Sequence, residues 1–85
     1  MEGGHKGYVY FLHVTIMYST GEKKKRWHKK DVSLVSRYIT PQDMMRDKVT
    51  MSRVYKEAYP KSNKFMDARV VKILDYKPVG TISML

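Results

Sequence analysis

The stretch YVYFLHVTIMYS, residues 8–19, is dense in β-branched and aromatic residues, contains neither Gly nor Pro, and lies between Gly7 and Gly21. That composition suits a pleated strand with one buried face. Strand side chains alternate between faces, so Tyr8, Tyr10, Leu12, Val14, Ile16 and Tyr18 share one side, and Val9, Phe11, His13, Thr15, Met17 and Ser19 the other. The even set is the more apolar and is the predicted core face.

The chain after it, Ser19-Thr20-Gly21-Glu22, has turn chemistry, and a second segment from Lys25 to Ile39 is expected to return antiparallel. Val32 and Leu34 share one parity, and if they face the core, Trp27 points outward with Lys25 and Lys29. The opposite register buries Trp27 and exposes Leu34. A short helix capped by Asp31 is a third reading of residues 31–39, because Val32, Val35 and Ile39 also fit one helical face.

Thr40-Pro41-Gln42-Asp43 supplies an N-cap hydroxyl, a proline at the first helical position and an acid in the first turn. These signals predict a helix that runs to Tyr59-Pro60. At about 100° per residue, Met44, Met51, Tyr55 and Ala58 form an inward stripe with Val54 at its edge. Arg46, Val49, Arg53 and Lys56 lie opposite, and Asp43, Asp47 and Glu57 lie on one flank. Lys61-Ser62-Asn63-Lys64 reads as a loop, and FMDARVVKILDY, residues 65–76, as strand with Val71 and Ile73 among its apolar residues. Lys77-Pro78-Val79-Gly80 reads as a turn, after which residues 81–85 would add a short last strand or lie loosely along the sheet edge.

The expected fold is therefore a small single α+β domain, ββαβ or ββαββ, with a three- or four-stranded sheet and one helix packed on one face. It spans residues 8–85, preceded by a flexible arm at residues 1–7. A chain of 85 residues holds one domain and buries about 60% of its unfolded surface. The absence of cysteine excludes disulfide frameworks, thiolate metal sites and cysteine nucleophiles, and no cofactor is expected. No apolar run approaches the length needed to span a bilayer, and the N-terminus does not read as a signal sequence, so a reducing cytoplasmic location and no membrane partner are expected.

Seventeen Lys and Arg stand against eight Asp and Glu, a formal net charge of +9. Such an excess points to a polyanionic partner. Six of those cations, Lys23, Lys24, Lys25, Arg26, Lys29 and Lys30, fall within eight positions at the predicted hairpin tip, around Trp27. The expected function is non-enzymatic binding of DNA or RNA with low sequence specificity. These six would contact phosphates, Trp27 would stack on an unpaired base, and Arg46, Arg53 and Lys56 would assist from the helix. If one sheet face is uncovered, Phe11 and His13 are further stacking candidates, whereas Tyr8, Tyr10 and Tyr18 read as core.

A solvated charge cluster that keeps the hairpin from aggregating is the bland alternative for the basic run. The competing function is a protein-binding adaptor or inhibitor, of the kind mobile elements encode, that docks on an acidic surface of a host protein. A metal-free ribonuclease using His13 or His28 as general base is a minor reading, and no catalytic or metal-binding set is assigned. The chain would be a monomer, or a dimer through an unprotected sheet edge.

Overall fold

A computed structural model describes residues 8–21, 23–61 and 67–81. Strand β1 (Tyr8–Thr20) pairs antiparallel with β2 (Arg26–Ser36) on one side and with β3 (Ala68–Thr81) on the other, so the order is β2-β1-β3. Two helices, α1 (Pro41–Arg46) and α2 (Lys48–Ala58), connect β2 to β3 and pack on one face. The domain is α+β with three antiparallel strands and two short helices.

Alternation along β1 sets the core as expected. Leu12, Val14 and Ile16 are fully buried, and each contributes about 1.5–3 kcal/mol by burial alone. The register Leu12↔Leu34, Val14↔Val32 places the apolar half of β2 on the same face, so residues 31–36 are strand and not a helix capped by Asp31. β-branched and apolar residues at alternate positions gain more from this pairing than from one helical turn. The hairpin loop begins at Gly21, whose φ of +98° L side chains rarely adopt. A Cβ there would come within 2.2 Å of the Lys24 carbonyl oxygen, which makes glycine obligatory.

The predicted single helix is two. Thr40 caps α1 as expected, accepting from the Asp43 N–H at 3.2 Å. Asp47 then takes extended backbone angles, ends α1 and caps α2 by accepting from the Thr50 N–H at 3.1 Å. The break resets the helical phase, so the buried stripe of α2 is Thr50, Val54 and Ala58, with Met51 and Tyr55 only half-buried. Met44 remains a fully buried core residue of α1.

Strand β3 departs most from expectation. Fourteen residues of β3 stand against eleven of β1, and the register shifts after Val70, Ile73 and Pro78 leave Val71, Leu74 and Val79 without partners. Each is a bulge, each is apolar, and each is exposed. The bulges reverse the alternation, so the core face takes Ala68 and Val70, then Ile73, then Tyr76. Lys77-Pro78-Val79-Gly80 is not a turn but the continuation of this strand. Proline is accommodated because β3 is an edge strand, where its missing N–H can face away from β1. The proposed arm at residues 1–7 and all but Thr81 of the proposed last strand lie outside the described residues.

Thirteen residues at about 3.3 Å each make β1 about 43 Å long, which accounts for the molecule's 44 Å longest dimension. The eleven residues of α2 cover only about 16 Å. Aromatic residues fill both overhangs of the helix-side face. Tyr10 meets Tyr76 edge-on at 5.8 Å at one end, and at the other Tyr18 meets Tyr59 edge-on at 5.8 Å and His28 at 5.4 Å. Tyr10 and Tyr18 pack on the core as expected, while Tyr8 is half exposed.

Candidate nucleic-acid interface

Both helices pack on the face of Leu12, Val14 and Ile16, so among the described residues no helix covers the opposite face of the sheet. By register its rows run Lys29, Met17, Arg69; then Asp31, Thr15, Lys72; then Ser33, His13, Asp75; then Val35, Phe11, Lys77. Trp27 stands beside Ser19 at the hairpin end of the same face. This is the outward register for Trp27 and Lys29. Phe11 and His13 also lie on this open face, as their parity requires.

Arg69 and Trp27 come from opposite edge strands and lean toward each other over β1, with the guanidinium carbon 5.4 Å from the ring centre. The Arg69 guanidinium also donates to Asp67 at 3.4 Å in a solvent-exposed ion pair. Trp27 keeps 40% of its surface exposed, a position intermediate between a core residue and a free side chain. Ser19, the register partner of Trp27, is fully buried, and its hydroxyl has no hydrogen-bond partner among the described residues.

The other predicted contact residues divide among different surfaces. Lys23, Lys24 and Lys25 occupy the exposed hairpin loop. Arg26 and Lys30 alternate onto the helix-side face, where Lys30 is half-buried with its ammonium 5.5 Å from the Tyr18 ring centre. Arg46 and Lys56 end α1 and α2 in exposed positions on the helical layer, away from the open face. Arg53 is exposed yet committed in part, because its guanidinium donates to the Val35 carbonyl at 2.8 Å and covers an acceptor of the β2 edge. Helix and hairpin cations therefore do not form one stripe.

Three cations that sequence reading missed, Arg69, Lys72 and Lys77, share the open face with Trp27. Period-two counting could not find them, since the bulges at Val71 and Leu74 break the count. The acids of this face are engaged. The Thr15 hydroxyl donates to Asp31 at 2.7 Å, and His13 Nδ1 lies 3.1 Å from the Asp75 carboxylate.

The two described histidines do not converge. His13 is on the open face, whereas His28 lies on the other with Nε2 2.8 Å from the Thr20 hydroxyl. An acid and a base acting on one phosphate would need them together. Ser33, His13 and Asp75 do form one cross-strand row, but among the described residues no helix N-terminus faces that side to stabilise an oxyanion. Among the described residues, no group of three or more His, Asp or Glu could hold a metal ion, and no helix is long and apolar enough to cross a membrane. No protein-family model, curated protein or solved structure matches the chain.

Proposed function

We propose that the protein is a non-enzymatic nucleic-acid-binding module that grips phosphates with its hairpin end. The observation that carries this reading is a cluster of exposed cations at the hairpin end. Lys23, Lys24, Lys25, Arg26 and Lys29 are all exposed, and none is ion-paired to a described residue. An exposed cationic cluster in a chain of net charge +9 attracts a polyanion and releases its counterions on contact. Phosphate contacts position a protein without specifying bases, so sequence specificity is low. A chain without cysteine suits the reducing cytoplasm, where such a partner is abundant.

The test is a binding titration with mixed-sequence oligonucleotides from 50 to 200 mM salt. A steep fall in affinity with salt, together with loss of binding in a Lys23→Gln/Lys24→Gln/Lys25→Gln variant, is the expected result. Absence of binding at the lowest salt overturns it.

The second reading is an adaptor for an acidic protein surface. The exposed Val71, Leu74 and Val79 along the β3 edge favour it, because an apolar edge contributes nothing to phosphate contact. Affinity for such a partner would persist at high salt.

A further inference from the structure

We infer that the nucleic acid bound is single-stranded, with one unpaired base stacked on Trp27 and Arg69 as the positioning residue that sets the ring for it. The inference rests on the phosphate-binding reading above and adds the form of the ligand. Three features support it.

The ring is partly exposed, with a cation over it. Trp27 retains 40% exposure on the sheet face opposite the two described helices, and Arg69, which also reaches Asp67, lies 5.4 Å from its centre. An aromatic platform ordered before binding loses little conformational freedom when a base arrives. In a duplex the bases are stacked on one another and offer only their groove edges, so such a platform has nothing to receive.

Three of the four cations of the open face stand at its two ends. Lys29 and Arg69 flank the Trp27 end and Lys77 lies beside Phe11, while on the rows between them Asp31 faces Lys72 across Thr15 and Asp75 stands beside His13. A duplex laid along the sheet would hold phosphates against those carboxylates. A single strand can turn its bases toward the middle rows and keep its phosphates at the basic ends, since carboxylates accept hydrogen bonds from exocyclic base amines.

The Trp27–Arg69 pair also depends on the bulge at Val71 remaining C-terminal to it. Arg69 keeps the unshifted register with Met17, which holds its guanidinium on the same side as the indole.

Trp27 is the sole tryptophan, so its fluorescence reports this position alone. The experiment compares labelled single-stranded and duplex oligonucleotides of one sequence, by anisotropy and by Trp27 quenching, for the native chain, Trp27→Ala, Trp27→Phe and Arg69→Gln. The single strand is expected to bind at least about tenfold tighter and to quench Trp27. Trp27→Ala should lose about 5- to 150-fold in single-strand affinity, the range that base stacking energies imply, with duplex affinity unchanged. Trp27→Phe should recover most of the loss, and Arg69→Gln should keep binding but reduce the quenching.

Equal affinity for both forms, with no quenching and no effect of Trp27→Ala, overturns the inference. If the triple lysine variant still weakens binding in that case, the phosphate-binding reading stands without it. Failure of both oligonucleotides to bind removes both.

Discussion

The Thr50 hydroxyl donates to the Asp47 carboxylate at 2.5 Å, so in the buried 2.7 Å hydrogen bond between Ser36 and Thr50 the donor must be Ser36. Ser36 in turn accepts from the Tyr38 N–H at 3.0 Å. The result is a directed chain, Tyr38 to Ser36 to Thr50 to Asp47, that ties the end of β2 to the start of α2. Each hydroxyl both donates and accepts, which is how two fully buried polar side chains are tolerated in a core this small.

Thr50→Val is therefore expected to destabilise the domain by about 1–3 kcal/mol, because it leaves the Ser36 hydroxyl buried without an acceptor. Asp47→Ala should cost at least as much, losing the cap of α2 as well. Asp47→Asn, which keeps an acceptor, should cost less than either. Urea denaturation of the three variants checks the order, and a neutral Thr50→Val would contradict the directed chain.

Gly21→Ala tests the hairpin. With φ at +98° and the Lys24 carbonyl in the way, the substitution should cost more than about 1 kcal/mol and lower the denaturation midpoint. Gly80 has open space around its Cβ position, so the clash is specific to the loop.

Tyr59→Phe tests the far end of the sheet. The hydroxyl lies 2.6 Å from the Ser19 carbonyl oxygen and 2.9 Å from that of Asp67, and it accepts from the Asp67 N–H at 3.2 Å. Removing it should cost about 1–3 kcal/mol. Amide hydrogen exchange should quicken at Ser19, whose N–H donates to the Asp67 carbonyl, before it does at Val14.

Trp27→Ala should have a small effect on stability, about 1 kcal/mol or less, since an exposed cation–π pair is worth about 0.5–1 kcal/mol. A loss of about 3–5 kcal/mol would be that of a buried tryptophan and would contradict its open-face position.

For binding, each phosphate contact to a single strand contributes about 0.7 to the slope of log affinity against log salt. The triple lysine variant at positions 23, 24 and 25 should flatten that slope by about 2. An unchanged slope would show that these lysines are solvated and touch no phosphate.

How far the sequence could be read differs strand by strand. β1 is central and covered on one side only, so its period-two pattern names the core without help from elsewhere. In β2 the pair Val32 and Leu34 settles the parity and carries Trp27 and Lys29 with it. The helix break was illegible because Asp47 looks like any acid in a helical run until Ser36 and Thr50 are brought beside it. β3 was read least well, for every cue of periodicity is lost at Val71 and again at Leu74. Arg69 and Lys72, which complete the candidate interface, went with it.

Those same bulges give the edge strand slack. Val71, Leu74 and Val79 have no partners on β1, so a chain lacking any one of them could keep every remaining pair in register. At other positions of β3, loss of one residue would exchange the faces of the side chains that follow, unless a neighbouring bulge were absorbed. The strand can thus shorten over evolutionary time in single-residue steps at three places. Its curvature would change while its assignment of side chains to core and solvent stayed fixed.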